Sequence, residues 1–157
     1  MTHIATNVRT LYAQQTTYSG LNAVNAIEMG VVPDGLGSLA NWVGYADYIS
    51  GNPFGGGVNV YGGSSDSGFN IAYTGLPEEA CIALATMDWG TPSSSGLIGM
   101  EVANYNISGG GIGGSDYTQD TKSGAWYGAN HMPITVAEVA TKCNCTSDGC
   151  TVVWKYQ

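Results

Sequence analysis

The chain has 157 residues, enough for one domain with a hydrophobic core and too few for two. Twelve acids against four bases give a net charge of −8 at pH 7, which repels phosphate backbones and anionic lipid and leaves no basic stripe for nucleic acid. Only 10% of residues are charged while 24 are glycine, so the surface is expected to be polar but largely neutral, and no run of 18 apolar residues offers a membrane span.

In chain order, Ile4, Val8, Leu11 and Tyr12 fall at i, i+4, i+7 and i+8, one stripe of a helix that begins almost at the first residue. Its abrupt start predicts the remainder of a longer helix, with Met1 to His3 as a start or tag scar. Leu21, Val24 and Ile27 repeat every three residues and stop at Gly30, with Pro33 beyond as a breaker. That is a second short helix, so residues 1–30 hold two. From Pro33 to Gly57 glycines and prolines surround Trp42, Tyr45 and Tyr48, which predicts a loop pinned by buried aromatics and containing a hidden turn of helix.

From Val58 the period changes to two. Val58 and Val60, then Phe69, Ile71 and Tyr73, read as two strands joined across Gly62 to Gly68; Ile98, Met100 and Val102 predict a third and Val152, Trp154 and Tyr156 a last. Between the strands Leu76-Pro77-Glu78-Glu79 opens a helix, with proline at the first position and the acids at the positive end of the dipole. Cys81, Leu84 and Ala85 share its inner face. Further on, Thr135 and Glu138 form a capping box flanked by Ile134 and Val139, and Val136, Val139, Ala140 and Cys143 make one apolar stripe.

Four cysteines, Cys81, Cys143, Cys145 and Cys150, with two histidines and no repeated Cys-x-x-C pairs, point to disulfides in an oxidising compartment and hence to an exported protein. Two helices each place a cysteine on the apolar face, which favours Cys81–Cys143 and leaves Cys145 and Cys150 to close the Asp148-Gly149 turn. Four cysteines allow three connectivities, and the sequence does not choose among them.

Competing chemistry is thin. Gly109, Gly111 and Gly114 spell G-x-G-x-x-G, but no helix pattern follows and no βαβ unit surrounds them, so a flexible loop is the better account. His131 would have to serve any Ser-His-Asp site, yet no G-x-S-x-G elbow accompanies it. Glu78 and Glu79 are adjacent on a helix and face apart, unlike a glycosidase pair. Asp116 with Asp120, or Ser65 with Asp66, lacks the D-x-D-x-D-G series of a calcium loop. The Cys143, Cys145, Cys150 triplet is spaced too tightly for a zinc finger. No catalytic residue, metal or cofactor is therefore expected. A rival of a different class is a secreted, disulfide-stabilised carbohydrate- or receptor-binding module. For that, Trp42, Trp89 and Trp126 are the candidate ligand contacts, set against the favoured account that they plug the core beneath long loops.

The order of motifs carries a resemblance. NVRTLY (Asn7 to Tyr12), YSGL (Tyr18 to Leu21), NPFGG (Asn52 to Gly56), GLPEEAC (Gly75 to Cys81), PITVAEVATKC (Pro133 to Cys143) and the terminal TVVWKY (Thr151 to Tyr156) together resemble a type IVb pilin of the conjugation or thin-pilus branch, without its membrane-spanning helix. The resemblance implies a single α+β pilin domain over residues 1–157. In it an N-terminal helix packs on an antiparallel sheet of about four to six strands, and a disulfide-bounded D-region, residues 81–143, shapes the exposed surface. It implies a non-enzymatic subunit that polymerises with itself into an extracellular pilus for adhesion, conjugation or motility. A prepilin peptidase and the pilus assembly machinery would act on the full-length protein, which would be inner-membrane anchored before assembly. A host or recipient cell-surface receptor is the expected outside partner. The apolar helix and the glutamate that pilins use to register subunits have no counterpart here.

Overall fold

The structure, a computed structural model, describes residues 2–13, 18, 20–22, 25, 49–50, 52–62, 68–105 and 117–157. Its elements in chain order are α1 (Thr2–Leu11), β1 (Ile49–Ser50), β2 (Gly57–Gly62), β3 (Phe69–Leu76), α2 (Glu78–Thr86), α3 (Pro92–Ser95), β4 (Leu97–Ala103), β5 (Lys122–Ser123), β6 (Trp126–Gly128), a 3-10 turn (Ala129–His131), α4 (Val136–Lys142) and β7 (Cys150–Tyr156). The architecture is α+β. All the described strands join one antiparallel sheet in the order β1-β2-β3-β7-β4-β6-β5. Among the described residues the sheet has seven strands rather than four to six, because β1, β5 and β6, of two or three residues each, are too short to show a period.

Pairing of like with like fixes the register. The rows Val58–Tyr73–Val152–Val102, Val60–Ile71–Trp154–Met100–Tyr127 and Phe69–Tyr156–Leu97 run across the strands on one face. A one-residue slip would turn each row to the other side of the sheet. Against these rows pack Ile4, Ala5 and Val8 of α1, Ala80, Cys81, Leu84 and Ala85 of α2, and Val139 and Cys143 at α4, forming the main core. The opposite face carries the row Asn59–Ala72–Val153–Glu101–Trp126, with a smaller cluster of Ala72, Trp126 and Val153 to which Ile98 adds.

Several expectations are corrected by these contacts. Leu97, not Ile98, enters the main core: the β4–β7 register shifts between Leu97 and Gly99, and the extra residue of such a bulge throws Ile98 to the other face. Val136 is 67% exposed and Ala140 is also exposed, so the buried stripe of α4 narrows to Val139 and the capping Cys143. Leu11 is 44% exposed at the end of α1. Most of the second helix of residues 1–30 lies outside the described residues, as do Trp42, Tyr45, Tyr48 and Gly109 to Gly114; Leu21 is described and buried.

Local chemistry explains the helix starts and the entry to β2. Thr135 Oγ1 accepts from the Glu138 backbone N–H, satisfying an otherwise orphaned donor of α4. Pro77 stands at the cap of α2, one position earlier than expected, with Glu78 and Glu79 in the first turn. The Asn52 side chain accepts from the Phe54 and Gly56 N–H groups and donates to the Gly57 and Thr74 carbonyls, which holds the NPFGG turn onto β3.

Candidate functional site

Two disulfides gather α2, α4 and β7 at one end of the domain. Cys81 bonds to Cys143 across 62 residues, joining the inner face of α2 to the C-terminus of α4. Cys145 bonds to Cys150 across five residues, closing the turn that leads into β7. Gly149 sits in that turn with φ +91°, and the Gly149 N–H donates to the Thr146 carbonyl at 2.9 Å. The Sγ atoms of Cys81, Cys145 and Cys150 lie within 4.8 Å of one another, yet no cysteine is free. With every sulfur in a disulfide there is no thiolate to ligate a metal.

At the opposite end of the front face the lone arginine fastens α1 to the sheet. Arg9 Nε donates to the Gln157 carbonyl at 2.9 Å, Nη2 donates to the Ser95 carbonyl, and the guanidinium lies over the Tyr156 and Phe69 rings at 5.3 and 5.9 Å. Cation–π attraction to both rings strengthens the seat. The aromatic column continues from Tyr156 through Phe69 and Tyr18 to Tyr12. Burial pushes the Tyr156 hydroxyl far above its ordinary value and the Tyr18 hydroxyl upward too, with Arg9 pulling weakly against both shifts. Gly96 has φ +71°, and a Cβ there would stand 2.1 Å from Arg9 Nη2, so any other residue is strained in its backbone and displaces the arginine head. Sequence reasoning did not single out Arg9; that it is the only arginine in an acidic chain was the available signal.

Two of the three lysines meet near α4. Lys122 pairs with Glu138, lies 5.5 Å from the Tyr127 ring centroid, and lines a cleft of about 430 Å³ with Lys142, which donates to the Gly124 carbonyl. The hydrogen bond from Lys122 holds the Glu138 carboxyl below its usual range, while the same bond raises Lys122. On the back face burial raises Glu101.

The candidate ligand contacts fare differently. Trp126 is 1% exposed, its Nε1–H donates to the Thr118 carbonyl, and its ring approaches Gly99 so closely that a Cβ there would come within 2.4 Å. No face of that ring is open to a sugar. Trp89 packs edge-on against Trp154 at 5.1 Å and donates to the Leu84 carbonyl, with its remaining surface on a cleft of about 190 Å³ shared with Met87, Asp88, Met132 and Pro133. Trp42 lies outside the described residues. Of the two that are described, Trp89 packs against the main core and Trp126 belongs to the smaller cluster on the other face of the sheet. His131 is exposed, and its Nε2–H donates to the Asp120 carbonyl, a fastening of its turn.

The family of PilS N-terminal domains matches residues 1–157. The chain belongs to this family. Among curated relatives, this PilS N-terminal chain is 30% identical over 138 residues to the "major structural subunit of bundle-forming pilus" of Escherichia coli O127:H6 (strain E2348/69 / EPEC), which covers 87% of this chain and 62% of that protein. It is 32% identical, with the same coverage, to the protein of that description from Escherichia coli O111:H-. The chain spans about three fifths of the length of these relatives. No solved structure matches it. These likenesses place the PilS N-terminal chain among the type IVb pilins. Among the described residues no helix is long and apolar enough to cross a membrane.

Proposed function

We propose that the chain is the globular part of a structural subunit of a type IVb pilus, polymerising with copies of itself into an extracellular surface filament. The observation that carries the proposal is the junction of family and architecture: a pilin-family chain whose first helix is seated on an antiparallel sheet through Ile4, Val8 and Arg9. A helix so anchored is a handle by which one domain can be fixed along a filament axis. Residues 1–157 act as one domain, with residues 81–143 forming the surface that neighbouring subunits and outside partners meet. The role is structural rather than catalytic. The low density of charge lets identical subunits touch without strong like-charge repulsion.

On this proposal the pilus assembly machinery and a prepilin peptidase handle the full-length protein, and a host or recipient cell-surface receptor is the outside partner. Deleting the gene in the organism that encodes it, with complementation, tests the reading by electron microscopy and antibody labelling. Loss of a filament that the antibody decorates is expected. A parent or complemented strain that shows no decorated filament and releases the protein only as a monomer would instead favour the secreted binding module, with Trp89 as the described aromatic to test.

A further inference from the structure

The two disulfides differ in access and in the length of chain they close. Cys81, Cys143 and Cys150 have no exposed surface, whereas Cys145 is half-buried and borders a cleft of about 450 Å³ with Phe54, Pro77, Glu78 and Asp148. The Cys145–Cys150 loop spans five residues against 62 for Cys81–Cys143, and loop-closure entropy favours the shorter. Its turn carries its own bridge between Thr146 and Gly149, so its two sulfurs can meet before the helices pack. Cys81 and Cys143 meet only when α2 and α4 pack, and that packing seals them from an outside oxidant. The sulfurs of Cys145 and Cys150 are then within 4.8 Å of Cys81 Sγ.

We propose that the Cys145–Cys150 pair is a thiol–disulfide exchange site, which takes oxidising equivalents from an external disulfide and passes them inward to Cys81 and Cys143. The Cys145 and Cys150 thiols first reduce one external disulfide to two thiols, giving up two electrons and two protons, and the Cys145–Cys150 bond forms. The Cys81 thiolate attacks Cys145 Sγ; a Cys81–Cys145 bond forms and Cys150 leaves as thiolate. The Cys143 thiolate attacks Cys81 Sγ; Cys81–Cys143 forms and Cys145 leaves as thiolate. Both exchanges are redox-neutral and follow ordinary thiolate displacement at sulfur. A second external disulfide reoxidises Cys145 and Cys150.

The test refolds the fully reduced chain with about 0.1 mM oxidised glutathione, quenches samples by alkylation and maps disulfides in unreduced peptides by mass spectrometry. Cys145–Cys150 and then Cys81–Cys145 should appear before Cys81–Cys143. Neighbouring sulfurs act at millimolar effective concentration, so C145S/C150S should slow Cys81–Cys143 formation by about tenfold. Cys143→Ser, which blocks the last step, should accumulate Cys81–Cys145. The proposal is overturned if Cys81–Cys143 forms first in the unmodified chain, or forms at an unchanged rate in the double variant. Should the double variant fail to fold, the order of appearance in the unmodified chain decides alone.

Discussion

The two faces of the sheet are both largely buried but are made of different chemistry. On the face beneath the helices nearly every inward position is aliphatic or aromatic, and the rows continue into one large cluster. On the other face Asn59, Asn70, Thr74, Thr151 and Lys155 are buried beside Ala72 and Val153, the Asn59 Oδ1 finds no hydrogen-bond partner among the described residues, and Glu101 is driven toward its neutral form by burial. An apolar face repays its burial directly, whereas a polar one must recover the desolvation cost of each group through hydrogen bonds. Stability should therefore be concentrated on the helix side, with the other face specifying more than it stabilises.

Breaking the long disulfide loads the helix face most heavily. In the chain-entropy model a 62-residue loop contributes about 4 kcal/mol, so Cys81→Ser should lower the oxidised protein's stability by about that amount in denaturant titrations and leave the reduced protein nearly unchanged. An unaltered oxidised midpoint would remove this bond from the account. Adjacent valines then compare the faces with one chemistry, since Val152 and Val153 are both fully buried on opposite sides. Val152→Ala should cost about 2–3 kcal/mol, from two lost methyl groups plus a cavity in tight packing, and Val153→Ala nearer 1 kcal/mol because its cluster is small. Equal losses would erase the distinction.

Arg9→Ala should cost about 1–2 kcal/mol through lost hydrogen bonds and ring contacts, and Arg9→Lys should restore little of it, because an ammonium lacks the planar fork that spans both carbonyls while stacking on the rings. Full rescue by lysine would reduce the contact to simple charge. Glu101→Gln should stabilise. Because Glu101 is raised on folding, the penalty it imposes is present at alkaline pH and is relieved as pH falls through its folded value; the variant's advantage in thermal melts should be widest near pH 8 and shrink on acidification. The smallest effect belongs to Glu138→Gln. Glu138 is lowered by Lys122, so its contribution exists above the ordinary carboxylate range and disappears as pH drops through its folded value, and added salt should shrink it further.

What the sequence made legible was local. The Thr135 cap, the alternation through Val58 to Tyr73 and through Val152 to Tyr156, and the inward cysteines of two helices each need only a few neighbouring residues to be read. Ile98 was assigned to the wrong face because a bulge is set by the partner strand's register and leaves no mark on alternation itself. Val136 looked like part of a stripe, yet it lies in the first turn of α4, where nothing packs over it. β6 consists of Trp126, Tyr127 and Gly128 alone, and its place beside β4 is a long-range choice. The seat of Arg9 is built from positions 95, 96, 156 and 157, far away along the chain, and could not be read from its own neighbourhood.

Strand β7 follows every other described strand yet lies in the interior of the sheet, between β3 and β4. A polypeptide emerging residue by residue from a ribosome or a translocation pore would present β1 to β3 and β4 to β6 as two separate half-sheets, each with an open edge and no direct partner in the other. Neither half can close until residues 150 to 156 arrive between them. Such a sheet stays open until that strand arrives and then completes in one step, so the compartment into which residues 150 to 156 are released decides where the sheet closes.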